Sequence, residues 1–274
     1  MSSFDIEFAS FSTIGKIREK NEDNVHVEAS LGLGVVADGM GGHSAGEIAS
    51  NIAISVLTET IRKINNSQLK IPDNFLPKLT FTGRKILMAA NLANAAIYST
   101  AQSSAVYRMM GTTLTGVLVD KDCATAVHVG DSRLYLFRDD KIHQITMDHS
   151  LAMEHVRRGL LTRAEADHSK IQNVLTRAMG IKKNIEFDLL RFPVRTGDVM
   201  LLCSDGLYKG LSELEMADML RQGSQTPLVK LCKQIVSQAN ENDGQDNISA
   251  VLIKVMPPKK LSFGQRVRRM FFRS

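Results

Sequence analysis

Four aspartates stand at the borders of apolar runs. Asp38 follows LGVVA, Asp131 follows AVHVG, Asp205 follows MLLCS, and Asp246 precedes NISAVLIKV. Each run reads as a short buried strand. In an antiparallel arrangement such strand ends can share one edge of the molecule, and the four carboxylates then converge. Unpaired carboxylates do not cluster in a low-dielectric cleft unless protons or cations neutralise them. Hard oxygen ligands, with no Cys or His set at metal-ligand spacing, favour Mg2+ or Mn2+ over Zn2+.

Taken singly, each of these motifs has a plainer reading, because Asp-Gly is a common turn dipeptide. Yet DGMGGHSAGE and DGLYKGLSE lead into helices rather than returning strands, so neither suits a hairpin. The four together, all at strand ends, point to a site. Gly39 lets the backbone approach a cation and offers its carbonyl as a ligand. Gly41 and Gly42 allow a sharp reversal before the helix. Upstream, KIREKNEDN (16–24) places Arg18 beside an acidic pair, Glu22 and Asp23. Alone it reads as a surface salt-bridge loop. Beside the aspartates, Arg18 becomes a candidate phosphate clamp, since a guanidinium fork matches two phosphate oxygens.

The elements that must position these residues show in the periodicity. Residues 4–14 and 25–37 read as strands with turns between them. Residues 45–64 read as a helix, with Ile48, Ile52, Val56, Leu57, Ile61 and Ile64 on one face. A polar loop (65–80) and a second, Ala-rich helix (83–102) follow. From 113 to 146, short strands at close spacing predict antiparallel hairpins. Residues 148–180 read as mostly helical and polar. Strands return at 185–192 and 198–204, a helical stretch fills 212–240, and a last strand runs 248–255 up to Pro257 and Pro258. The expectation is one domain over 1–256 of the α+β class, with antiparallel sheets face to face and helices outside. Neither GxGxxG nor GxxxxGK[ST] occurs.

Composition narrows the classes. Trp is absent and aromatics are only 5%, so the core must be built from Ile, Leu, Val, Ala and Met. The net charge of +5 belongs to the end of the chain: residues 257–274 hold six of the 34 Lys and Arg and no acid, leaving 28 basic against 29 acidic residues. A nearly neutral body argues against nucleic-acid binding, which needs a basic face. Cys123, Cys203 and Cys232 are odd in number and form no CxxC pair, so they read as small buried hydrophobes in a reducing cytoplasm. The N-terminal MSSFDIEFAS lacks the basic and apolar regions of a signal peptide, and no run of 18 apolar residues exists to span a membrane. In the tail, Phe263, Val267, Met270 and Phe271 fall at helical spacing, with Arg266, Arg268, Arg269 and Arg273 largely elsewhere on the wheel. Residues 259–273 therefore suit an anionic membrane surface or an acidic protein, or else form a solvated end.

RxxNEDN, VVADGMGGHSAGE, MGTTLTGVLV, HVGDSRLYL, MDHSL, VLTRAMG, LLCSDGL and GQDNISAVLI occur in this order over residues 5–255. The chain thereby resembles the bacterial metal-dependent protein Ser/Thr phosphatases, type 2C. The resemblance implies an αββα sandwich with a helical flap at about 148–180. It implies hydrolysis of phosphoserine and phosphothreonine by a water activated between two divalent cations, in opposition to a Ser/Thr kinase. Asp38 would bridge both ions and the Gly39 carbonyl would bind one. Asp205 and Asp246 would complete the first, and Glu22 would help hold the second. Asp131 matches the position that supports a third ion, and Arg18 the phosphate-binding arginine.

Two further features bear on this expectation. A thiol phosphatase needs Arg six residues after Cys, and Val129, Lys209 and Gln238 stand there instead. Many eukaryotic members of the family carry His two residues after the bridging aspartate. Here Met40 fills that place and cannot donate a proton. His43 is the nearby candidate general acid, and capping of the helix or exposure to solvent are its alternatives. Thr112 and Thr113 read first as structural hydrogen-bonders, and His128 and His143, alternating within strands, as structural. The competing functional reading is a non-enzymatic pseudophosphatase that binds phosphoproteins.

Overall fold

The computed structural model describes residues 4–41, 45–167 and 169–258. Within them the chain runs β1 (Asp5–Thr13), β2 (Asp23–Glu28), β3 (Leu33–Met40), α1 (Ala45–Asn65), α2 (Phe81–Ser103), β4 (Gly111–Thr112), β5 (Leu114–Asp120), β6 (Cys123–Val129), β7 (Arg133–Arg138) and β8 (Lys141–Gln144). It continues through α3 (Leu151–Arg157), α4 (Arg163–Asp167), β9 (Asp188–Pro193), β10 (Val199–Cys203), α5 (Asp205–Gly210), α6 (Glu213–Gln222), α7 (Leu228–Asn242) and β11 (Ile248–Met256).

Two antiparallel sheets result. One has the order β1-β11-β10-β7-β8; the other has β2-β3-β5-β6-β9, with β4 paired to β3. Strands that are apolar at every position need cover on both faces, and β10 shows how they receive it. Met200 and Leu202 point between the sheets, beside Leu134, Leu136, Val251 and Ile253 of their own sheet and in one cluster with Val36, Val117 and Ala126 of the other. Val199, Leu201 and Cys203 point outward, under α5, α6 and α7. On the other sheet Leu33, Val35 and Ala37 face α1 and α2, while Val36 joins the layer between the sheets. The expected αββα sandwich of the α+β class is what forms. Each fully buried Leu contributes on the order of 2 kcal/mol to it.

Cys203 and Cys232 are buried, and burial pushes both thiols up to about 12. All three cysteines are free. Among the described residues no helix is long and apolar enough to cross a membrane.

Three sequence expectations need correction. Residues 25–37 are parts of two strands, because a 3-10 turn at Ala29–Leu31 and the left-handed Gly32 (φ +69°) reverse the chain. Among the described residues, 148–180 are helical only in α3 and α4. Gly159 is left-handed (φ +71°), and the Leu160 N–H donates to the His155 carbonyl at 2.9 Å, a C-cap that stops α3 after two turns. The remainder of the flap is irregular chain pinned by backbone bridges Ser150↔Leu175 and Thr112↔Met179. Finally, the stretch 212–240 is two helices broken at Gly223–Gln225, and the short helix α5 precedes them. His43 and the tail from 259 to 274 lie outside the described residues.

His128 sits on β6 with none of its surface exposed. Its Nε2 lies 3.2 Å from the Met147 carbonyl, which can only accept, so Nε2 carries the proton. Burial first, and then the neighbouring His149, hold its pKa down at about 3. His143, by contrast, is exposed on β8. A buried neutral His128 makes stability fall on acidification: the unfolded chain binds a proton below about pH 6.5 and the folded chain does not. Between that pH and about 3 this one group should remove about 1.4 kcal/mol per pH unit. Urea midpoints at pH 7.5, 6 and 5 should decline less steeply in His128→Gln than in wild type. An identical decline in both proteins would remove His128 as the cause.

Candidate active site

The β1–β2 loop, the end of β3, the β6–β7 turn, the start of α5 and the approach to β11 meet at one cavity of about 1070 Å3. Arg18, Glu22, Asp38, Gly39, Asp131, Asp205 and Asp246 all line it. Every described residue expected at the site is therefore brought to one place.

Backbone hydrogen bonds fix Asp38. Its N–H donates to Thr113 Oγ1 at 2.9 Å, and its carbonyl accepts from Thr112 Oγ1 and from the Thr113 N–H, both at 2.9 Å. Thr113 Oγ1 also lies 2.7 Å from Ser132 Oγ, which ties Asp38 to the turn that carries Asp131. The two threonines thus act as structural hydrogen-bonders.

Asn247 orders the other side. Its Oδ1 accepts from the Glu22 N–H at 2.8 Å, and its Nδ2 donates to the carbonyls of Ile14 and Lys20 at 2.9 Å. The loop bearing Arg18 and Glu22 is thereby held against Asp246. Arg18 Nη2 meets Asp246 Oδ2 at 2.9 Å. Lys209, one turn along α5, pairs with Asp205.

The glycines do something the sequence reading did not foresee. A Cβ on Gly39 would stand 2.2 Å from the Gly46 carbonyl oxygen and 2.6 Å from that of Glu22. Gly39 is small so that α1 and the Glu22 loop can close on the end of β3. Gly41 keeps its expected role: its φ of +146° suits glycine.

Carboxylates outnumber the two cations, Arg18 and Lys209, that pair with them here. Asp38 is held well above the ordinary carboxylate range, first by burial and then by Asp23, Asp205, Asp131 and Asp246. Asp131 is pushed up to about 7, again by burial first and then by Asp205. Glu22 is raised, chiefly by burial. Such a cluster asks for positive charge. Its donors are carboxylate oxygens with backbone carbonyls nearby, a set that suits a hard divalent cation. Among the described residues no three acidic, His or Cys side chains already form a cage around one point. The acids line an open cleft instead, and Arg18 and Lys209 rest on two of them.

Two residues escaped the sequence reading of the site. Asp23 pairs with Asp38 across β2 and β3. It is buried and accepts a 2.6 Å hydrogen bond from Ser204 Oγ, and burial raises it to about 7. Its only signal was its place next to Glu22. Lys209, six residues after Cys203, is the other. Its signal was the four-residue spacing from Asp205, which needs α5 to be recognised as a helix.

The chain as a whole is similar to known proteins. The family profile described as Protein phosphatase 2C matches residues 18–253. A curated relative, the serine/threonine phosphatase stp of Listeria welshimeri, is 34% identical over 247 residues, covering 88% of this chain and 92% of its own. The crystal structure of the Mycobacterium tuberculosis serine/threonine phosphatase PstP/Ppp superposes with a TM-score of 0.77 at 32% identity, covering 92% of this chain and 99% of that one. A structure of the catalytic domain of PstP in complex with two manganese ions gives a TM-score of 0.75 at 32% identity, covering 92% and 98%.

Proposed function

The chain belongs to the protein phosphatase 2C family, and from that premise we propose that it hydrolyses phosphoserine and phosphothreonine in proteins with Mn2+ or Mg2+, in opposition to a Ser/Thr kinase. The observation that carries this reading is the convergence of Asp38, Asp131, Asp205 and Asp246 on one cavity with Arg18 at its edge. We assign the catalysis to residues 1–256.

Asp38, the Gly39 carbonyl, Asp205 and Asp246 would hold the cations, with Glu22 in support and Asp131 on the side where a third could bind. Bound divalent cations would make water a better nucleophile and offset charge on the phosphoryl group. The chain's own residues supply the rest. Arg18 has a half-exposed side chain on Asp246, so its fork can turn to phosphoryl oxygens without leaving the site. Thr112 and Thr113 hold the Asp38 backbone, which keeps the geometry fixed while charge develops. Met40 gives the departing Ser or Thr oxygen no proton, which leaves His43 as the proposed donor from this segment. Residues 259–273 are proposed to meet a membrane surface or an acidic protein.

The full chain should release phosphate from a phosphothreonine peptide when Mn2+ is added and stop when EDTA is added. Tight phosphopeptide binding with no turnover under Mn2+ would instead favour the pseudophosphatase.

A further inference from the structure

The cavity extends well past the carboxylates. At about 1070 Å3 it exceeds what one phosphorylated side chain fills. Beyond Asp38 its wall is mixed, with Arg177, Lys182 and Glu186 beside the apolar Met40, Met109 and Ile181, and a site for phosphate alone would not need the apolar part. Met40 lies two residues along β3 from Asp38 and also lines the cavity. Residues two apart on a strand share a face and stand about 7 Å apart. Across from Met40 is Ile181. A Cβ on Gly111 would stand 2.7 Å from Met40 Cε and 3.1 Å from Ile181 Cδ1, so both tips meet over that glycine.

Met109 completes the wall. It is 71% exposed, unusual for a large apolar side chain on a cavity rim. Its backbone is left-handed (φ +72°), a conformation that costs a residue with a Cβ free energy. An exposed methionine kept in a strained conformation needs a reason. A thioether side chain with three rotatable bonds adapts to varied apolar partners.

The wall is also held in place. Asn94 on α2 accepts from the Gly180 N–H at 2.8 Å and donates to the carbonyls of Lys182 and Lys183 at 3.1 and 3.0 Å. The Thr112↔Met179 bridge fixes the other end of the segment.

We propose that Met40, Met109 and Ile181 form a subsite for an apolar side chain of the phosphoprotein substrate, one or two residues from the phosphorylated Ser or Thr. The occupant follows from continuity: the wall and the carboxylates bound one cavity, and a single strand residue, Gly39, separates Met40 from Asp38. This rests on the phosphatase reading and sharpens its substrate class to phosphosites flanked by an apolar residue.

The test uses the full chain with Mn2+ and phosphothreonine peptides bearing Leu or Asn at positions −2, −1, +1 or +2. At one position Leu should raise kcat/KM about tenfold over Asn, as expected for an apolar contact in a partly open subsite. Met109→Asn, which tolerates the left-handed backbone, should cut that preference to about twofold or less, mainly through KM. Its rate on N-acetylphosphothreonine methylamide, which has no flanking side chain, should match wild type. Ile181→Asn serves as the second variant. The proposal is overturned if no position shows a preference, or if the preference survives in both variants. It is also overturned if Met109→Asn changes the oligomeric state and leaves the peptide preference intact, since the wall then meets a second copy of the chain. Failure of wild type on the methylamide as well as on every peptide would overturn the phosphatase reading itself.

Discussion

Replacing Asp38 by Asn should abolish phosphate release and at the same time make the chain more stable in EDTA. The two effects share one cause. Asp38 is half-buried among Asp23, Asp131, Asp205 and Asp246, and loss of solvent first, then these neighbours, raise its pKa well above the ordinary carboxylate range. A carboxyl that is harder to ionise in the folded chain than in the unfolded chain costs stability as pH rises above its unfolded value, near 3.9. Asn has nearly the same shape and no charge, so it removes that cost. The expected gain at pH 7 is about 1 kcal/mol or more, comparable with other replacements of uncompensated buried charge. For a chain of this size it would appear as a rise of about 2–4 °C in Tm. Activity moves the other way. An amide is a poorer ligand for a hard cation and leaves the phosphoryl charge without its counter-ions. A loss of at least about 1000-fold in kcat/KM is expected, at the upper end for removal of one electrostatic group. Thermal unfolding in EDTA and peptide hydrolysis in Mn2+, measured on the same preparation, read both effects. A variant that loses Tm and activity together would show that Asp38 holds the fold rather than the chemistry.

This opposition between stability and activity also explains which parts of the site were legible in the sequence. An aspartate at the end of an apolar run breaks the local rule that buried strands avoid charge, so Asp38, Asp131, Asp205 and Asp246 stand out without any structure. Arg18 stands out beside that set because it lies in a charged loop directly before a strand, whereas only the resemblance to the phosphatase family separates Glu22 from Asp23. Asp23 broke no local rule. Its burial is set by the pairing of β2 with β3 and by Ser204, the N-cap residue of α5, and long-range pairing is not written in local spacing. The flap misled for a related reason. Its polar, Ala-containing segment favours helix, but Gly159, the Ser150↔Leu175 bridge within it and the Thr112↔Met179 bridge to a residue outside it hold most of it irregular. The wall formed by Met40, Met109 and Ile181 draws on three separate segments, and its strained Met109 has no sequence signature at all.

Gly206→Ala is expected to have the other large effect, through backbone alone. A Cβ on Gly206 would stand 2.2 Å from the carbonyl oxygen of Asn247. A Cβ on Gly15 would likewise stand 2.2 Å from the carbonyl oxygen of Asp246. The two glycines therefore clasp the 246–247 backbone, one from the first turn of α5 and one from the loop after β1. No flexible side chain is available to yield, so Gly206→Ala must push α5 away from residue 247. Asp205 opens α5 and Asp246 precedes Asn247, so the shift separates the two carboxylates whose spacing the site depends on. A displacement near 1 Å in such a constellation is worth about 100-fold in rate. The expected outcome is a drop of that order in kcat/KM and weaker Mn2+ binding by calorimetry. Gly116→Ala supplies the contrast: its Cβ would meet Val127 Cγ1 at an ordinary 3.5 Å, and its activity should stay within about twofold of wild type, as befits a substitution without a steric clash. If Gly206→Ala kept wild-type turnover and Mn2+ affinity, α5 would be free to slide without carrying Asp205, and the carboxylates would find their spacing by another route than this clasp.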